Sequence, residues 1–263
     1  MTKLQEVLQD LRDETAQLNS VLDTLDEAGW HKETPAVGWD THDTNAHLSD
    51  TNDVMYESVT GGARTLASEA MEAIRELGQG FDVTDPRAVD VYTARQVERG
   101  RKMSWQDVYA WWESSCARLH EMLSSLDPAG RYLWGPNMIS PLSLCSARIM
   151  ETWAHSLDVH DAAGAEYPDT ARIRHVAFLG LRAMPNAFML EKLDPPGPIR
   201  LELTSPTGAS WTMGPDDAPT VIRGAASDFA RVVAHRDRDG AASRLDGEGP
   251  DAENAIKHGR AFL

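Results

Sequence analysis

The hydrophobic period of this chain changes once, and that change limits the folds open to it. Over the first 165 residues apolar side chains recur three and four apart, beginning with Leu4, Val7, Leu8, Leu11, Leu18, Val21, Leu22 and Leu25. Such spacing lines one face of an α-helix. Beyond about residue 168 the period falls to two, in Ile199-Arg200-Leu201-Glu202-Leu203-Thr204. That is the alternation of a strand with one buried face. The pattern predicts an α+β protein: an all-helical bundle over 1–167 and a small α+β domain over 168–263.

Local signals set the expected element ends. The first helical run continues to Gly29, and Pro35, Gly38 and Trp39 lie in the loop that follows. Asp40 or Thr41 caps a second helix that stops at Gly61-Gly62. Further helices are expected over 63–77 and from Pro86 to Gly100. Ser104-Trp105-Gln106-Asp107 resembles a capping box and opens a helix to Leu126. Trp134-Gly135-Pro136 reads as a turn; Ser140-Pro141 then starts a helix that Gly164 closes. In the second half the pattern gives a helix over 171–190 and a hairpin of Ile199–Thr204 with 209–213. A strand over 220–223, a helix over 225–235, a short strand over 243–247 and a helix over 250–262 complete it.

Bulk properties exclude several classes of function. The formal net charge of −16 opposes binding to a phosphate backbone or an anionic membrane. No apolar run of membrane-spanning length exists, and the N-terminus lacks the basic and hydrophobic regions of a signal peptide. A soluble cytoplasmic protein, monomer or homodimer, is the expectation. The two cysteines, Cys116 and Cys145, form no CxxC pair and sit in apolar helical runs, as core residues do.

The chemistry-bearing feature is Met150-Glu151-Thr152-Trp153-Ala154-His155. Glu151 and His155 are four apart, so a helix places both on one face, where a divalent metal can bridge them. A third ligand would complete a three-donor site with open positions, the form of a catalytic zinc. His47 is the first candidate, with Asp43, four residues earlier, as acceptor behind its ring. The chain has nine histidines, so His31, His42, His120, His160, His175, His235 and His258 are alternatives. Asp158 shares the stripe of Glu151 and His155; it reads equally as a proton-handling group or as a solvated carboxylate. Two histidines and one carboxylate also suit non-haem iron, and the donor types admit Zn, Ni, Fe and Co.

Several blocks resemble the DinB-like metalloenzyme superfamily, in its mycothiol-dependent maleylpyruvate isomerase-like branch. They are Gly38-Trp39 through His47-Leu48; Trp134-Gly135-Pro136-Asn137-Met138; Ala147-Arg148; and Glu151-Thr152-Trp153-Ala154-His155 with Asp158 and Gly164. Arg174-His175-Val176-Ala177, Leu203-Thr204-Ser205-Pro206-Thr207-Gly208, Trp211 and Val221-Ile222-Arg223-Gly224 extend the likeness through the second half. The resemblance implies a four-helix bundle and one divalent metal, usually zinc, on His47, Glu151 and His155. It implies a low-molecular-weight thiol such as mycothiol as cosubstrate, and a late arginine that contributes to activity. Arg236 is the first match for that arginine and Arg223 the second.

The expected function is therefore a metal-dependent transferase or isomerase that activates a thiol for attack on a small electrophile. Two other readings stay open. One is a hydrolase or cyclisation catalyst acting on a specialised metabolite without thiol. The other is a non-catalytic binding module with a pocket of Trp105, Trp111, Trp112, Trp134 and Trp153, residues that equally suit a core.

Overall fold

The computed structural model describes residues 2–78, 86–135 and 137–261, with side chains described from residue 90 onward in the second stretch. Pro136 and the terminal Phe262-Leu263 lie outside the described residues. The elements in chain order are α1 (Lys3–Leu22), α2 (Glu27–Trp30), α3 (Thr41–Thr60), α4 (Leu66–Leu77), α5 (Pro86–Gly100) and α6 (Trp105–Ser125). Then come β1 (Tyr132–Trp134), β2 (Asn137–Ile139), α7 (Pro141–Ala163) and α8 (Ile173–Leu190). The chain finishes with β3 (Ile199–Thr204), β4 (Ser210–Met213), β5 (Thr220–Ala225), α9 (Ala226–Val233), β6 (Asp246–Glu248) and α10 (Ala252–His258). The α+β class is as the period change predicts.

By contacts the chain divides into two compact units. One comprises Met1–Arg148 with His155–Glu166, the other Ile149–Ala154 with Tyr167–Leu263. In the first, Leu18, Val21, Leu22, Trp30, Ala46, Leu48, Val108, Trp112, Cys116 and Val159 form one buried cluster. Removing a large core side chain such as Trp112 costs about 3–5 kcal/mol. Trp105 stacks on Trp30 with ring centroids 5.5 Å apart, and Trp112 donates to Asn19 at 2.7 Å. These tryptophans pack a core rather than line a pocket. Both cysteines are buried, and burial pushes each thiol up to about 12.

The second unit holds a four-stranded sheet of order β4-β3-β5-β6. The β3–β5 pair is parallel; β4 and β6 pair antiparallel at the two edges. Leu201, Leu203 and Ile222 point into the core with Phe229 and Val233 of α9.

Two sequence expectations change. The first helical run breaks after Leu22, because Asp26 caps the separate α2 by accepting from Gly29 N. The expected turn at Trp134-Gly135 is the tip of a small hairpin, in which Tyr132 pairs with Ile139. Three-residue strands are too short to show a period.

Helix α3 is central and unusual. Its residues 41–52 are all buried, yet most are polar. A buried polar group is costly unless hydrogen-bonded. Asp50, fully buried, meets Arg64 at 2.6 Å and Arg99 at 3.4 Å; Glu69 meets the same two guanidinium groups at 2.8 and 3.0 Å. This network ties α3, α4 and α5. Burial alone would raise the carboxyl of Glu69, but hydrogen bonds from Arg64 and Arg99 outweigh it and hold the group below its ordinary 4.5. A carboxyl depressed by folding contributes stability above its unfolded pKa, and that contribution is lost as pH falls through the folded value. Chemical denaturation should therefore show wild-type stability falling below about pH 4.5 and a shallower acid slope in Glu69→Gln; parallel slopes would contradict this.

Gly100 lets α5 approach α3. A Cβ there would lie 2.2 Å from the Cβ of Ala46, an impossible contact. Gly100→Ala should cost about 1–3 kcal/mol by overpacking, although alanine is the better helix former. Adding Ala46→Gly should restore part of that loss in thermal unfolding; no rescue would contradict the contact.

Candidate metal centre

Histidine chemistry begins with which nitrogen carries the proton. His47 lies on α3, and its Nδ1 faces Oε1 of Gln96 on α5 at 2.7 Å. The direction of that bond follows from the next two. Thr51 spends its hydroxyl proton on the carbonyl of His47 at 2.9 Å, so its oxygen accepts from Gln96 Nε2 at 3.1 Å. The same Nε2 lies 2.8 Å from the hydroxyl of Tyr92. Gln96 thus turns its amide nitrogen away from His47 and presents its oxygen, which only an N–H can satisfy. Nδ1 of His47 is therefore the donor, and in the neutral ring the lone pair is on Nε2.

His155 reaches the same state through a charge. Its Nδ1 lies 3.1 Å from Oδ2 of Asp158, a carboxylate that is fully buried. With Asp158 ionised its oxygen only accepts, so Nδ1 donates and Nε2 is again the acceptor nitrogen. Asp158 is one turn further along α7, so helix geometry alone supplies this partner.

The two rings stand edge to face with centroids 4.9 Å apart. Trp39 lies against both, 5.1 Å from His47 and 5.9 Å from His155, nearly parallel to the latter. Glu151 precedes His155 by one turn of the uninterrupted α7, which Ser140 caps and Gly164 closes with φ 69°. His47, Glu151 and His155 each offer a ligand atom, and these atoms lie within 4.8 Å of one another. The donor set is two imidazole nitrogens and one carboxylate oxygen, chemistry that fits a divalent cation with positions left for other ligands. Buried Arg148 crosses from α7 to α3, its Nη2 reaching the carbonyl of Leu48 at 3.4 Å.

The sequence-predicted residues fall out as follows. His47, Glu151 and His155 come together, and Asp158 stands directly behind one of them. Asp43 does not orient His47. Both oxygens of its carboxylate are taken by Arg101, with Nε at 3.0 Å and Nη2 at 2.6 Å. Desolvation opposes ionisation of Asp43, but nearby His42 and the two hydrogen bonds from Arg101 prevail and hold its pKa down. Gln96 takes the place expected of Asp43. It was hidden because 49 residues separate it from His47. Its only trace is the Tyr92/Gln96 pair, one turn apart on α5.

Arg223 on β5 is held between Glu202 at 2.8 Å and Glu248 at 2.9 Å. Its charge is matched within the sheet. Arg236 follows α9, and its Nη1 donates to the carbonyl of Ala234 at 3.0 Å. None of the alternative histidines is in the group formed by His47, Glu151 and His155; burial pushes His120 down to about 4, and His160 bonds the carbonyl of Ser156 at 2.7 Å. No helix among the described residues is long and apolar enough to cross a membrane.

Comparisons agree with this architecture. Two proteins described as uncharacterized, from two strains of Mycobacterium tuberculosis, are each 35% identical over 257 residues, covering 96% of this chain and 93% of theirs. The crystal structure of a mycothiol-dependent maleylpyruvate isomerase superposes with a TM-score of 0.60 at 17% identity, covering 95% of this chain and 97% of that one. A point mutant of that isomerase gives 0.57 with the same coverage. At such identity the likeness speaks to the fold. The model of the mycothiol maleylpyruvate isomerase N-terminal domain matches residues 11–160, more than half of the chain, and the protein belongs to that family.

Proposed function

We propose that this protein is a thiol-using isomerase or transferase whose reaction centre is a divalent cation, zinc in the first place, held by His47, Glu151 and His155. The single observation that carries the reading is the convergence of two imidazoles and one carboxylate, whose ligand atoms lie within 4.8 Å of one another. Membership of a family named for a mycothiol-dependent isomerase supports a low-molecular-weight thiol such as mycothiol as cosubstrate.

When bound, the cation supplies Lewis acidity that ionises a coordinating thiol, whose free pKa is about 8.5. The protein's residues do the rest. Gln96 and Asp158 keep the Nδ1 protons in place, so both Nε2 lone pairs point to one spot without a tautomer change. Asp158 adds negative charge behind His155, which strengthens that nitrogen as a donor. Glu151 offsets cation charge. Trp39 covers one side of the imidazoles and keeps water from that side.

The thiol sulfur adds to an activated carbon–carbon double bond, and its proton goes to the neighbouring carbon. Rotation about the new single bond followed by elimination releases the thiol and the other geometric isomer. Addition without elimination gives a transferase. Arg236 is the residue we assign to an anionic group of the electrophile, because guanidinium suits carboxylates; Arg223, already matched by two carboxylates, we assign to the sheet.

Elemental analysis should find metal in the purified wild type and little in a Glu151→Ala, His155→Ala double variant. Equal content in both would end the proposal. Gln96→Leu and Asp158→Ala should each weaken cation affinity about 10- to 100-fold; unchanged affinity would remove them from the centre. Substrate loss assayed with and without thiol separates this reading from a thiol-independent hydrolase: dependence on thiol is expected, and equal rates would contradict it.

A further inference from the structure

The start of α3 carries a second group of donors. Asp40, His42 and Asp43 each offer a ligand atom, and these atoms lie within 4.8 Å of one another. His42 is only 3% exposed, and its Nε2 has no hydrogen-bond partner. A buried polar atom left in that state is costly and marks a place where a ligand would be stabilising. The imidazole lines a cavity of ≈ 390 Å³, with Glu33, Trp39, Asp40, Asp43 and Arg101 also in its wall.

Asp40 is held in place from two sides. One oxygen caps α3 by accepting from Asp43 N at 2.8 Å, and the other faces His31 Nδ1 at 3.0 Å. His42 Nδ1 is 3.8 Å from Asp43 Oδ1, and its ring lies 5.4 Å from that of His31. The cationic side chain here is Arg101, bound to Asp43 at 2.6 Å with its own side chain half exposed. Asp40, Asp43 and Glu33 outnumber it, so the cavity wall carries surplus negative charge.

We propose that Asp40, His42 and Asp43 form a second divalent-cation site, separate from His47, Glu151 and His155. Arg101 holds Asp43 when no cation is present and releases it when one binds, its guanidinium moving into solvent. Two carboxylates and one imidazole are harder donors than two imidazoles and one carboxylate, so this site takes a first-row divalent ion that keeps water ligands in the cavity. The proposal stands on donors that the catalytic reading does not use.

The test is Co²⁺ binding to the full chain, followed by calorimetry and by metal analysis after dialysis. Wild type should bind two ions per chain. His42→Ala should bind one, as should Asp40→Asn, which keeps the helix cap. Arg101→Met should tighten the second ion by about tenfold or more, since a competing charge is gone. A single ion in wild type, unchanged in His42→Ala and Asp40→Asn, would overturn the second site. The Glu151→Ala, His155→Ala variant should still bind one ion that is lost on adding His42→Ala. If it binds two, the catalytic centre is wrongly assigned while this site stands; if it binds none, this site is overturned.

Discussion

A helix rich in polar residues can be buried only if most of its side chains find partners, and α3 is such a helix. Its solutions organise the N-terminal unit. Asp50 draws in Arg64 and Arg99, Asn52 donates to Ser115, Asp43 takes Arg101, and His47 takes Gln96. Gln96, Arg99 and Arg101 lie on or just after α5, Arg64 just before α4 and Ser115 on α6. The arrangement therefore joins α3 to α4, α5 and α6 with directional bonds as well as with the apolar cluster of Leu48, Trp112 and Val159. Directional bonds fix rotation and register in a way that burial does not. That fixity is what a metal centre needs, since its ligands must stay aimed at one point.

Two side-chain bonds, one on α3 and one within α7, carry the functional argument. Gln96 and Asp158 reach the same result by different means, one neutral and one charged. Behind His47 stands the amide of Gln96, and behind His155 the carboxyl of Asp158. Asp158 belongs to the same helix as Glu151 and His155, so one helix stripe encodes two of the proposed ligands and the carboxyl that stands behind one of them. The other half of the centre relies on α5 being packed tightly on α3, which the glycine at position 100 permits.

Periodic and local features were legible in the sequence; partnerships across long separations were not. The ends of α3 and α7 could be read from Asp40, Gly61, Ser140, Pro141 and Gly164, because caps act within one turn. The Glu151/His155 pair was legible for the same reason. By contrast, the choice of Asp43 behind His47 rested on spacing alone, and the structure gives Asp43 to Arg101, 58 residues away. Neither Arg101 nor Gln96 stands out in a polar helix pattern. The hairpin of β1 and β2 escaped because three residues cannot display an alternation. The two arginines taken from family likeness were the least constrained, since no local pattern distinguishes a substrate-facing guanidinium from one that pairs across a sheet, as Arg223 does.

The claim on which the account rests is a protonation pattern, and nitrogen-15 NMR of the histidine rings reads it directly. With metal removed, near neutral pH, long-range ¹H–¹⁵N correlations should show His47 and His155 with protonated Nδ1 and unprotonated Nε2, and Gln96→Leu should disturb His47 alone. Finding either ring protonated at Nε2 instead would contradict the account, because the lone pair would then face Gln96 or Asp158 and not the point where Glu151 meets the two imidazoles.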